Sequence, residues 1–168
     1  MDSVARFLAH AVFLEEAAAD QYDELADALE VHNNPAVVEL FRRMAHYSRL
    51  HLSEVLERAM EEGELPTLKP WEYQWPGSNS PEAADQEAAH YLMTPYHALQ
   101  MAHAAEVKAF RFYDDCARST SNPEVRRLSS TFASEEKEHV EEIETWMADY
   151  PLPPEGWDDD LDPPVATE

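Results

Sequence analysis

Residues 132–146 read FASEEKEHVEEIETW. Taken as a helix, the stretch sets Phe132, Ile143 and Trp146 on one face, the pattern of a helix packed against a core. Glu136 and His139 fall on that same face. A carboxylate aimed into an apolar interior is costly unless something receives it. The remaining helices indicate what that is.

Three further helical stripes are legible. The first helix is expected from near Ser3 to near His32, with Val4, Leu8, Ala11, Ala18, Tyr22, Leu25 and Leu29 at alternating steps of four and three. Glu15 sits within that stripe. The neighbouring Glu16 offers another register, but the stripe and the distance to Tyr22 favour Glu15. The second helix opens at Asn34-Pro35, a good cap followed by a good first residue, and is expected to end near Gly63. Its stripe is Val37, Phe41, Met44, Ser48, His51 and Val55. The third, opened by Thr94-Pro95, carries Leu99, Ala102, Glu106, Ala109, Tyr113 and Cys116. The fourth opens at Asn122-Pro123 and is expected to run to about Tyr150. Between the second and third lies GELPTLKPWEYQWPGSNSP, residues 63–81, which reads as loop, followed by a short helix to about Met93. Residues 151–168 are too rich in proline and acid to fold alone, with Trp157 as a candidate anchor.

The chain repeats itself. His51 follows Pro35 by 16 residues, and His139 follows Pro123 by 16. Glu15 precedes Tyr22 by seven, and Glu106 precedes Tyr113 by seven, close to two helical turns. Two copies of one helical hairpin, joined by a long connection, make an all-α antiparallel four-helix bundle with a crossover between helices 2 and 3. The bundle is expected over residues 1–150 and the tail over 151–168.

Glu15, Glu106, Glu136, His51 and His139 then point toward one axis. Three carboxylates and two imidazoles in an apolar bundle repel or neutralise one another unless cations sit among them. A lone Glu or His on a stripe is ordinarily a boundary or hydrogen-bonded core residue. Five such residues together, four of them matched in pairs across two hairpins, point instead to metal. Carboxylate and imidazole ligands suit iron or manganese, with zinc a further option. Tyr22 and Tyr113 read as core aromatics.

Composition narrows the alternatives. A formal net charge of -23 argues against nucleic acid or an anionic membrane as partner. The single cysteine, Cys116, excludes an internal disulfide, and without a Cys-x-x-Cys pair there is no thiolate zinc or iron module. No apolar run of about 18 residues and no basic-then-apolar leader is visible, so a cytoplasmic location is expected.

FASEEKEH (132–139) and FRRMAHYSRLH (41–51) together resemble helix signatures of the rubrerythrin branch of the ferritin-like superfamily, over residues 1 to about 150. The resemblance implies a ferritin-like bundle around a non-haem di-iron site, commonly dimeric, that reduces hydrogen peroxide or reacts with dioxygen. It implies Glu15 and Glu106 as terminal ligands, Glu136 as a bridging carboxylate, and His51 and His139 as one imidazole for each metal. Three positions depart from the family pattern. Helix two reads Ser48-x-x-His51 where Glu-x-x-His belongs, and the repeat agrees, since Ser48 and Glu136 each lie 13 residues after their prolines. The rubredoxin-like domain of full rubrerythrins is missing from this chain, which implies a separate electron donor. Ala109 stands where an extra glutamate often follows the helix-three ligand. His103, one turn before Glu106, is a candidate stand-in for the lost carboxylate or a polar residue at the edge of the stripe. Three readings follow: a peroxide- or dioxygen-reactive enzyme, a metal-binding protein without turnover, or a metal-free interaction module presenting WEYQW (71–75).

Overall fold

The computed structural model describes residues 1–31, 35–75 and 93–156. Among these are four long helices and no strand: α1 (Val4–Glu30), α2 (Pro35–Glu62), α3 (Pro95–Ser119) and α4 (Pro123–Met147), with one 3-10 turn at Pro70–Glu72. The predicted Asn34 cap, the short helix before Met93 and the Trp157 anchor lie outside the described residues.

The helix ends follow from local chemistry. The Ser3 hydroxyl accepts from the Arg6 N–H, and the Asn122 side chain accepts from the amides of Glu124 and Val125, satisfying orphan donors of α1 and α4. Pro95 and Pro123 occupy first-turn positions, where the missing N–H costs nothing. Helix α2 closes on Gly63, whose φ of +99° admits the left-handed turn while its N–H donates to the Ala59 carbonyl. Helix α4 stops at Met147, short of the expected Tyr150. Two further turns carry the chain on to Tyr150, and Pro151 cannot donate to continue them.

Helices α1 and α2 pack as one hairpin and α3 and α4 as the other, with α2 against α3 and α1 against α4 closing the ferritin-like bundle. The core is in two pieces. One holds Tyr22, Leu25, Phe41, Met44, Leu99 and Ile143; the other holds Phe7, Leu14, Val55, Phe112, Tyr113 and Phe132. Every helix passes from one piece to the other. Between them lie Glu15 on α1, Ser48 and His51 on α2, Glu106 on α3, and Glu136 and His139 on α4. The apolar interior is thus cut across its middle by a polar belt.

The crossover begins on the surface of α1. The His10 ring Nδ1 donates to the Arg6 carbonyl at 2.7 Å, and Nε2 accepts from the Gln74 amide at 2.9 Å. Tyr73 and Trp75 stack on each other, 5.3 Å apart, and both pack on Phe13 and His10. Most of the WEYQW segment therefore covers its own bundle. Trp71 is 77% exposed beneath the Lys69 ammonium.

Candidate metal centre

All five predicted ligands line one cavity of about 270 Å³ in the polar belt. Each is delivered from mid-helix, where the backbone is fully hydrogen-bonded and the side chain position is fixed by packing on both sides. Glu15 is buried and Glu16 faces outward, which settles the register left between them. Glu136 is the most enclosed of the set, 4% exposed.

The distances are short and unbalanced. His139 Nδ1 lies 3.2 Å from Glu136 and 3.6 Å from Glu106. His51 Nδ1 lies 3.8 Å from Glu15. The two imidazoles are nearly parallel, 11° between planes and 4.2 Å between centroids. One ligand atom from each of His51, Glu136 and His139 falls within 4.8 Å of the others. Two ligands bound to one ion at about 2.1 Å each lie roughly 3–4 Å apart, so small side-chain adjustments close the set.

The electrostatics record the same crowding. Burial pushes the Glu15 carboxyl well above the usual carboxylate range, and the charges of Glu136 and Glu106 push it further. Burial also acts to raise Glu106, but hydrogen bonds with His139 and Glu136 outweigh it and hold Glu106 low. Burial would discharge His139; its hydrogen bond to Glu106 and that residue's charge win, and His139 is raised. His51 is lowered by burial and by the neighbouring His139. Both upward shifts favour the protonated forms of Glu15 and His139, the forms a cation would compete against. A belt of buried carboxylate and imidazole donors crowded this closely fits a pair of divalent ions.

The other predicted positions sort cleanly. Ser48 is buried and lines the cavity, so the position lacking its carboxylate faces the site. His103 does not line the cavity; it meets Glu144 at 2.9 Å on the outer side of α4 and offers no replacement. His46 is exposed, as its offset from His51 requires. His97 accepts the Thr94 amide at the start of α3.

Several lining residues were not singled out from sequence. Glu54 and Glu142 stand exposed at the mouth, and the internal repeat marks them: each lies 19 residues after its helix-opening proline, three after its histidine. Tyr47, Leu50 and Trp146 form an apolar side. Of these, Trp146 was visible on its stripe. Tyr47 and Leu50 flank the stripe of α2, and nothing in their spacing distinguishes them from surface residues.

The family model described as Rubrerythrin matches residues 6–143, and matches again over 97–160, which spans the second hairpin. A crystal structure at 2.00 Å of an uncharacterized conserved protein from Magnetospirillum magnetotacticum MS-1 is similar: 42% identical, covering 90% of this chain and 98% of that one, with a TM-score of 0.69. No curated protein matches the chain.

Proposed function

Because this chain belongs to the rubrerythrin family, we propose that it holds non-haem iron, as a pair of ions, between its helices and reduces a peroxide or dioxygen there. Glu15, Glu106 and Glu136 would hold the iron through their carboxylates, Glu136 shared between the ions, and His51 and His139 would give one imidazole to each. The observation that carries this reading is the interruption of the core by five converging donors, three of them carboxylates. Such a belt is unfavourable in a metal-free bundle and favourable around cations.

A bound iron pair would supply one electron per ion and Lewis acidity toward an oxygen substrate. The remaining work falls to this chain. Three carboxylates would leave one positive charge of a divalent pair to be balanced by a small anion such as hydroxide. The short Ser48 side chain leaves room for it and offers a hydroxyl that can donate to an oxygen anion. The two core pieces close the belt at either end, leaving access through the side where Leu50, Glu54 and Glu142 are exposed. For hydrogen peroxide the balance is H₂O₂ + 2 e⁻ + 2 H⁺ → 2 H₂O, with electrons from a separate electron-transfer protein.

Ser48 also favours a second reading, a protein that binds iron, zinc or manganese without turning over, since the lost bridge weakens the pair. Metal analysis of tag-free protein tests both. A near-ultraviolet band of an oxo-bridged iron pair, bleached by reductant and restored by peroxide, supports the enzyme. Bound metal with no such response supports the binding protein, and protein that takes up no metal rules out both.

A further inference from the structure

The cavity is larger and more apolar than its own proposed chemistry requires. A water molecule accounts for about 30 Å³ of liquid, and hydrogen peroxide has only two heavy atoms. The cavity measures about 270 Å³. An apolar protein cavity of about 150 Å³ is enough to take up benzene. The volume here therefore accommodates a ring-sized molecule beside a pair of ions.

Its two sides differ in chemistry. The donors stand on one side. Met44, Tyr47, Leu50, Ile143 and Trp146 make the other, with Ala18 leaving depth. Tyr47 and Trp146 lie 6.3 Å apart at a 31° tilt, and Arg43 caps the outer face of Trp146 at 5.5 Å. Ser48 sits where the two sides meet, one turn from Met44 and one turn from His51. The loss of a carboxylate at this position, which the repeat places at Glu136 in the other hairpin, joins the apolar side to the donors. Leu50, 47% exposed, marks the way in.

The rim selects against negative charge. Glu54 and Glu142 flank the opening of a chain whose net charge is -23. Anions, including carboxylates of otherwise suitable shape, are repelled there.

The geometry points to a binding site for a neutral organic hydroperoxide with a compact apolar substituent, and for the alcohol formed from it. This rests on the proposed function and names its substrate class. The reaction balances as ROOH + 2 e⁻ + 2 H⁺ → ROH + H₂O. The O–O bond breaks, one oxygen leaves as water, and the electrons come one at a time from the separate electron-transfer protein. The apolar group R lies against Trp146 and Met44, and the oxygen end faces Ser48.

Binding and turnover are separately measurable. The full chain, metal-free and zinc-loaded, is titrated with cumyl alcohol by calorimetry and by tryptophan fluorescence, with sodium benzoate as an anion of similar size. Saturable one-to-one binding of the alcohol is expected, with benzoate at least tenfold weaker. Leu50→Glu, at an exposed position that tolerates charge, is expected to weaken the alcohol at least tenfold. The iron-loaded protein is expected to consume cumene hydroperoxide with at least tenfold higher kcat/KM than hydrogen peroxide, and Leu50→Glu to narrow that ratio. Zinc-loaded protein that shows no saturable alcohol binding overturns the inference while leaving the metal site standing. Benzoate binding as tightly as the alcohol overturns the selection for neutral ligands, and preference for hydrogen peroxide overturns the substrate class. A chain that loads no metal overturns the proposed function instead, and titration of the metal-free protein still decides whether the pocket binds apolar alcohols.

Discussion

His51 and His139, from opposite hairpins, lie ring over ring at 4.2 Å and 11° in the middle of the bundle. Each is the same distance from the proline that opens its helix, so the stacking is the internal repeat expressed in space. Their surroundings part them: burial and then the neighbouring His139 lower His51, while His139 is raised because the Glu106 bond and charge outweigh its burial.

Metal uptake should therefore release protons. Burial and the neighbouring carboxylates raise Glu15, and Glu106 raises His139 against the opposing effect of burial, so both groups hold protons that ligation must expel. Protons compete with the metal, so affinity rises with pH. Adding zinc to metal-free protein in weak buffer near pH 6.5 is expected to release roughly one to two protons per chain. Uptake without acidification would mean these groups are not ligands.

Glu136 lies within reach of both imidazoles, while Glu15 pairs with His51. A bridge serves two ions and a terminal ligand serves one. Glu136→Ala is expected to strip most bound metal and Glu15→Ala about half of it. Equal losses, read by metal analysis on matched samples, would contradict the bridging assignment.

Ser48→Glu restores the carboxylate that the repeat places opposite Glu136 and should act with opposite sign on the two forms. Without metal, a fourth buried acid costs on the order of 2 kcal/mol, a fall in Tm of about 4–8 °C for a chain of this length. With metal, stoichiometry should rise toward two per chain and Tm should exceed that of the parent. Unchanged loading would show that the missing bridge does not limit the site.

The belt was legible because helical periodicity carries it: Glu15, Glu106, Glu136 and both histidines interrupt stripes whose other members, Ser48 apart, are apolar, and each hairpin repeats the other. Burial then separates Glu15 from Glu16, as a single step of about 100° on a helix must. Residues between stripes were not legible. Tyr47 and Leu50 gain their role from the neighbouring α4 and the width of the opening, which no local spacing encodes. His10 was opaque for a similar reason. Its partners, Arg6 one turn back and Gln74 in the crossover, become informative only once the loop is seen lying on α1.

Asp2 fastens the N-terminus to the turn between α3 and α4. Its carboxylate accepts from the Ser121 amide at 2.6 Å and the Thr120 hydroxyl at 2.9 Å, while the Asn122 side chain donates to its carbonyl. The Ser121 backbone bond first, then the Thr120 hydroxyl, lowers its pKa from 3.8 to about 2. A folded pKa below the unfolded one means the contribution is complete above about pH 4 and is lost as pH falls toward 2. The parent should lose stability faster than Asp2→Ala across that window in acid titrations followed by circular dichroism. Parallel curves would remove Asp2 from the account.

His10 should make the crossover sensitive to mild acid. The ring is fully buried, with Nδ1 donating to Arg6 and Nε2 accepting from Gln74, so both nitrogens are satisfied only in the neutral form. A second ring proton would point at the Gln74 N–H. Burial holds the folded pKa below 6.5, outweighing the favourable bond to the Arg6 carbonyl. As pH falls below 6.5 the unfolded chain takes up a proton that the folded chain refuses, so stability complete above that value declines beneath it. His10→Phe keeps the aromatic contacts with Tyr73, Trp75 and Phe112 but leaves the Arg6 carbonyl and Gln74 amide without their ring partner. It should cost about 1–3 kcal/mol at pH 7.5. Because the variant cannot titrate at this position, the gap in Tm between it and the parent should shrink from pH 7.5 to pH 5.5. His51 and His139 titrate in both proteins and cancel in the difference. A gap that stays constant across that range would place the proton elsewhere.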